Sequence, residues 1–245
     1  MKAIILAAGK GKRIKSETMQ IPKHMRKVAG KPILQYVLDA VNFIDKKDII
    51  IVVGFLKEMI IDAFEGYNFA LQEEQLGTGH AVKCAKDKLE GYKGNVFVIL
   101  GDTPLLEKST LENMMKYHQT NKNHFTILSC YTDEYMPLGR IIRDDKDTEK
   151  FLGIVEEKDC TAEQKEIREY NAGVMLFDSE KLLEELENLK NNNNNKEYYL
   201  TDVPKFFLEK KYKTGVYKSQ NKNEIYGVNT IEDLQIVEKI LLEKA

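Results

Sequence analysis

No stretch of this sequence approaches the ~20 apolar residues that a membrane-spanning helix needs. The apolar start, Lys2 to Leu6, is too short for a secretory leader and runs into glycine and lysine. Neither a signal peptide nor a membrane partner is expected. Charge of one sign is missing too: 37 basic residues face 39 acidic ones, for a net charge of −2. That excludes capture of nucleic acid by bulk electrostatics, so no nucleic-acid partner is expected and any phosphate binding must be local. The three cysteines, Cys84, Cys130 and Cys160, are far apart and odd in number. They supply no disulfide framework and no paired metal spacing, and fit inert thiols in a reducing cytoplasm. Two phosphate-binding signatures are also missing. No Gly-Lys-Ser/Thr follows the first glycines, and Gly9-Lys10-Gly11-Lys12-Arg13-Ile14 lacks the third glycine of a dinucleotide fingerprint.

What is present is organised around the first 23 residues. Lys2 to Leu6 has the length of a buried strand. It leads into Ala7-Ala8-Gly9-Lys10-Gly11-Lys12-Arg13, which is small and then basic, with Lys23 further on. Small residues let the backbone approach a ligand, and glycine lets successive N–H groups turn towards one anion. Such a loop can hold a polyphosphate, although an ordinary strand-to-helix loop would share the pattern.

The chain of 245 residues, 42% hydrophobic, can bury one large α/β core. Leu34, Val37, Leu38 and Val41 mark an amphipathic helix after Pro32 at its first position. Ile49–Val53 and Val96–Leu100 are apolar on both faces, as in parallel strands. Helices are expected at 57–64, 78–89 and 110–119, and strands at 69–71 and 125–131. Alternation of this kind builds βαβ units and a mostly parallel sheet. After Pro137 three strands, 139–144, 153–157 and 171–177, follow with little helix between, suggesting an antiparallel or mixed extension. A helix marked by Leu182, Leu186 and Leu189, an exposed, mobile Asn191–Asn195 tract, a helix at 200–211 and a strand at 213–218 precede a last helix capped by Thr230. The expected organisation is a single domain. About 1–136 and 200–245 would form the core, and about 137–199 a small antiparallel cap lobe.

Ligands of open parallel sheets bind beyond the carboxyl ends of the strands. Three stretches qualify: the loop after Leu6, the polar turn from Gln72 to Gly79, and Gly101-Asp102-Thr103-Pro104. An aspartate there suits Mg²⁺, which takes carboxylate oxygen and keeps waters and phosphates as its other ligands. Gln72 and Gln75 carry amides able to read base or sugar edges. His80, just inside the following helix, reads as structural, and Asp144–Lys150 as a solvated loop.

These residues carry a resemblance. Leu6-Ala7-Ala8-Gly9-Lys10-Gly11, Pro22-Lys23, Ala29-Gly30-Lys31-Pro32 and Glu74-Gln75-Leu76-Gly77-Thr78-Gly79-His80-Ala81 occur in this order. Gly101-Asp102, Gly139-Arg140-Ile141, Gly153-Ile154-Val155-Glu156, Asn171-Ala172-Gly173, Glu197-Tyr198-Tyr199-Leu200-Thr201-Asp202 and Gly227-Val228-Asn229 extend the series. Together they resemble the sugar-phosphate nucleotidyltransferases, and within them the uridyltransferase half of bacterial bifunctional uridyltransferase/acetyltransferases. The resemblance implies a Rossmann-like, mostly parallel mixed sheet flanked by helices. It implies UTP and N-acetylglucosamine 1-phosphate as substrates, Mg²⁺ as cofactor, a monomer or homodimer, and a product used in cell-wall biogenesis.

Residue by residue, Leu6, Ala7, Ala8, Gly9, Gln72, Gly77, Thr78 and Gly101 would surround the nucleotide. Arg13 and Lys23 would neutralise the triphosphate, and Asp102 and Asn229 would hold Mg²⁺. Gly139, Glu156 and Asn171 would bind the amino sugar. The sequence departs from the family in a longer loop between Arg13 and Pro22, in Lys12 for a usual threonine, in His24-Met25-Arg26-Lys27, and in Leu100 for an aromatic residue. The chain ends soon after Asn229, so the acetyl-transferring half and its activity are expected to be missing. Two rivals follow from the same residues: an enzyme for glucose 1-phosphate or phosphocholine, and a non-catalytic sugar-nucleotide sensor.

Overall fold

Strand β1 (Lys2–Ala7) lies in the middle of a nine-stranded sheet. The structure, a computed structural model, describes residues 1–244. After β1 come a short α1 (Ser16–Met19), the two-stranded ribbon β2 (Lys27–Val28) and β3 (Lys31–Pro32), and α2 (Ile33–Ala40). Then follow β4 (Ile49–Val53), α3 (Lys57–Ala63), β5 (Asn68–Leu71), α4 (Thr78–Cys84), β6 (Asn95–Leu100), α5 (Lys108–Thr120) and β7 (Phe125–Tyr131). The second half holds β8 (Arg140–Arg143), β9 (Phe151–Val155), β10 (Glu169–Asp178), α6 (Ser179–Leu186), α7 (Val203–Glu209), β11 (Thr214–Lys218) and α8 (Ile231–Glu243).

The sheet order is β11-β7-β10-β6-β1-β4-β5. Pairs β6·β1, β1·β4, β4·β5 and β11·β7 are parallel. The mixed, mostly parallel sheet expected from the alternation is present. Its third late strand sits elsewhere than the rhythm suggested. β10 is not part of a separate extension but runs through the central sheet, antiparallel to both β6 and β7. Its burial on both faces reads the same in either direction, so pattern alone does not reveal polarity. Only β8 and β9 form the extension, and they hang from β10 through the single pairing Tyr170 with Arg140.

The period-2 alternation of β1 divides the core. Ala3, Ile5 and Ala7 face a layer containing Leu34, Val37 and Leu38 of α2 and Leu111 and Met114 of α5. Ile4, Leu6 and Ala8 face the opposite layer, with Ala81 and Val82 of α4, Leu182 and Leu186 of α6, and Val203 and Phe207 of α7. Each of the buried Ile, Leu, Val, Met and Phe side chains among these contributes about 1.5–3 kcal/mol and each Ala less, which anchors β1 and aims the loop that follows it. A third cluster, with Ile14, Val28, Ile33, Leu105, Val228 and Val237, fastens α8 to the loop after β1.

Some boundaries move. Pro32 caps α2 rather than opening it, because it is already paired in the ribbon. The 200–211 helix begins as a tight turn, Leu200–Asp202, before α7, where Pro204 sits in the first turn without needing an N–H. The asparagine tract is largely exposed, as expected, and makes hydrogen bonds to its neighbours. Asn193 bonds Glu197 through both backbone groups, and Asn194 bonds Asp159 and the Lys158 carbonyl. Thr230 caps α8 in a reciprocal capping box with Asp233. Among the described residues no helix is long and apolar enough to cross a membrane.

Candidate active site

β1 is where the chain reverses its direction of travel across the sheet, with β4 on one side and β6 on the other. The carboxyl end of such a strand opens a crevice. Here the crevice is a cleft of ≈ 470 Å³. Leu6, Ala8, Gly9 and Arg13 line it from β1 and its loop, Gln72, Gly77 and Thr78 from the turn before α4, and Asp102 from beyond β6. Lys23, Glu156 and Asn229 complete it. Eleven of the residues singled out from sequence thus converge, from stretches more than 200 positions apart.

At the centre is a cation held between two oxygens. Lys23 follows Pro22 in a tight turn, and its ammonium pairs with Asp102 Oδ2 and lies 3.3 Å from Asn229 Oδ1. The Asp102 carbonyl accepts from the Val228 N–H at 2.8 Å, which brings Asn229 beside it. Asp233 of the α8 cap accepts from the Asn229 N–H at 2.8 Å. The helix cap and the charged centre are therefore one construction.

The opposite wall comes from β8–β10. Between Asn171 and Met175 the β10·β7 register slips, and Gly173 adopts φ +75°, a left-handed conformation that glycine takes without strain. The bulge lets Asn171 Oδ1 accept from the Gly173 N–H at 2.9 Å. Among the described residues no hydrogen bond uses its amide NH₂. Asn171, Glu156, Leu6, Val98, Leu100 and Met175 surround a recess of ≈ 50 Å³ leading from the cleft. Glu156 accepts from the Thr201 hydroxyl at 2.8 Å.

The nucleotidyl transferase family profile matches residues 2–226. The chain belongs to the nucleotidyl transferase family. The bifunctional protein GlmU of Alkaliphilus metalliredigens (strain QYMF) is 44% identical over 242 residues, 98% of this chain and 52% of that protein. GlmU of Clostridium tetani (strain Massachusetts / E88) is 42% identical over 245 residues, 99% of this chain and 52% of the relative. The chain spans about half the length of the curated relatives it matches. Among solved structures, a UDP-glucose pyrophosphorylase complexed with UDP-glucose superposes with a TM-score of 0.79 at 20% identity, covering 100% of this chain and 99% of the other. A glucose-1-phosphate thymidylyltransferase described as putative, from Bacillus anthracis, gives 0.73 at 20% identity, covering 98% and 94%. At that identity the two superpositions bear on the fold.

The electrostatics of this nucleotidyltransferase separate its two carboxylates. Burial works against the charge of Asp102, but the adjacent Lys23 ammonium outweighs it and holds the carboxyl below its ordinary range. Burial pushes Glu156 up, against the Thr201 bond, and Asp202, Asp159 and Glu197 add to the rise. Mg²⁺ fits the first site. Asp102 and Asn229 already direct oxygens at one cationic atom, and Mg²⁺ is often held by one or two carboxylates plus phosphates. Among the described residues no cluster of three or more histidine, cysteine or acidic side chains forms a fuller cage.

Three expected residues do not line the cleft. Ala7 points into the opposite core layer, as strand alternation requires. Gly101 acts by being small: a Cβ there would stand 2.8 Å from the Leu6 carbonyl oxygen. Gly139 lies beneath the wall, its carbonyl accepting from the Asn171 N–H at 2.8 Å. Sequence reasoning gave no role to His24, Leu100, Thr201 or Glu197, all of which line the cleft or its recess. His24 is 3% exposed, and burial, then Lys23, lower its pKa to about 3, so it is neutral. Its position directly after Lys23 was the one available signal.

Proposed function

We propose that this nucleotidyltransferase moves UMP from UTP to N-acetylglucosamine 1-phosphate, giving UDP-N-acetylglucosamine and pyrophosphate, in the cytoplasm and with Mg²⁺. The observation that carries the sugar is the Asn171 recess. A free amide NH₂ suits an acetyl carbonyl, and a mostly apolar pocket of ≈ 50 Å³ suits its methyl group. Glu156 beside it is an acceptor for sugar hydroxyls. The likeness to bifunctional GlmU proteins over half their length supports this reading.

A phosphate oxygen of the sugar phosphate attacks the α-phosphorus in line. The new P–O bond forms as the bond to the pyrophosphate oxygen breaks, and the bonding pair leaves with pyrophosphate. The nucleophile belongs to the substrate, so the protein aligns and neutralises. Gly9 allows close approach of the backbone, and Arg13 and Lys23 bring positive charge to the triphosphate and leaving group. Asp102 and Asn229 would hold Mg²⁺, which supplies charge neutralisation on phosphate oxygens.

Pyrophosphate release measured over a panel of nucleotides and sugar phosphates tests this. N-acetylglucosamine 1-phosphate should exceed glucose 1-phosphate by at least ~100-fold in kcat/KM, because a site built to pair a polar group rejects an analogue lacking it. Equal or better use of glucose 1-phosphate would overturn the sugar assignment.

A further inference from the structure

We infer that His80 is a positioning residue that sets which face of the Gln72 amide meets the nucleobase, and thereby selects uracil over cytosine. The inference rests on the uridine-binding reading of that wall. Gln72 is 4% exposed and lines the cleft. One end of its amide lies 3.1 Å from the Gly77 carbonyl oxygen. A carbonyl oxygen only accepts, so the atom facing it is the amide nitrogen, whichever way the group is first drawn. The same nitrogen lies 3.0 Å from His80 Nδ1.

Both amide hydrogens are thereby used, one on Gly77 and one on His80. Nδ1 must then be the unprotonated nitrogen of the ring, with the proton on Nε2. Cys84 Sγ lies 3.9 Å from the same nitrogen. Among the described residues no hydrogen bond of the protein uses Gln72 Oε1. The amide therefore shows the cleft an acceptor alone.

The neighbouring amide is arranged alike. Gln75 spends its nitrogen on the carbonyl oxygens of Gln72 and Glu73, each at 3.1 Å. An acceptor such as Gln72 Oε1, when it meets N3 of the base, suits a pyrimidine whose N3 carries hydrogen, as in uracil. It repels cytosine, whose N3 presents a lone pair. Turning Gln72 over to suit cytosine would set Oε1 against two acceptors, the Gly77 carbonyl and His80 Nδ1.

The experiment compares kcat/KM for UTP and CTP in wild type, His80→Leu and His80→Asn. The ratio is internal to each variant, so partial loss of folded protein cancels. His80→Leu removes one of the two acceptors and should lower the UTP:CTP ratio about tenfold. His80→Asn, which returns an acceptor near the Nδ1 position, should keep the ratio within threefold of wild type. A fall of less than fivefold in His80→Leu overturns the inference while leaving the uridine reading intact. A wild-type preference for CTP overturns the uridine reading itself. Imidazole ¹⁵N shifts of the free protein give a readout without catalysis: His80 should be the Nε2–H tautomer, and an Nδ1–H tautomer refutes the arrangement.

Discussion

The two walls of the cleft are built by different means. The wall proposed to hold the nucleotide is the ends of parallel strands, β1 and β6 paired on both sides and β5 at the edge, with glycines where backbones touch. The wall proposed to read the sugar combines Asn171 of β10, which is paired inside the sheet, with a β8–β9 ribbon joined to β10 by one pairing. The ribbon is held by side chains. Arg140, fully buried, pairs with Glu157 at 2.6 Å and lies over the rings of Tyr170 and Tyr135, 4.8 and 5.4 Å from their centroids. The first wall, and Asn171 of the second, are thus fixed by backbone, whereas the ribbon that carries Glu156 is fixed by a replaceable side-chain network. Surfaces of the second kind can change specificity while the chemistry stays in place.

The largest effect should come from the first wall. Asp102→Asn removes the charge that faces Lys23 and should lower kcat on the order of 10²–10³-fold with the fold intact. Pyrophosphate release at saturating Mg²⁺ checks it, and near-wild-type turnover would show that the charged centre is not the reacting one. Arg140→Met attacks the second wall. It should cost about 1–3 kcal/mol in denaturant unfolding, since the ion pair and two ring contacts go while Glu157 can rehydrate. It should raise the KM for sugar phosphate and leave UTP binding, measured by calorimetry, within twofold. Weakened UTP binding would mean the walls are not independent.

Asn171→Ala sharpens the contrast within the sugar wall. It should narrow the preference for the N-acetylated sugar phosphate about tenfold, roughly 1.4 kcal/mol, with activity on glucose 1-phosphate retained. A preference that stays at its wild-type value would remove Asn171 from the recognition of the acetyl group.

The smallest effect lies outside both walls. His118, buried on α5 and hydrogen-bonded to Thr126 at 2.9 Å, has its pKa lowered to about 4 by burial and then by His124. The folded state excludes a proton that the unfolded chain binds below pH ~6.5. Its stabilising contribution is complete above that pH and is lost as pH falls towards 4, at up to about 1.4 kcal/mol per unit. Unfolding curves of His118→Gln should be flatter over this window than those of wild type. Identical slopes would show that His118 does not carry the dependence.

The sheet and most of the site were legible because their signals are local. Ile49–Val53 announces a buried strand by composition, and Thr230 with Asp233 announces a helix start. The partners of the asparagine tract, Asp159 and Lys158, were not legible, because low complexity carries no sign of what it will meet. His80 read as structural from its surroundings in sequence, and only the tertiary structure brings its Nδ1 within 3.0 Å of the Gln72 amide.

By itself the sequence determined the alternation of strands and helices, the family, and the inventory of glycines, amides and charges, since these follow from periodicity and motif order along the chain. Tertiary structure decided the antiparallel course of β10, the meeting of Lys23 with Asp102 and Asn229, and the directions in which the Asn171 and Gln72 amides face. The physical reason is that a hydrogen bond or an ion pair has no period. It depends on which distant residues the packed sheet brings within about 3 Å of one another.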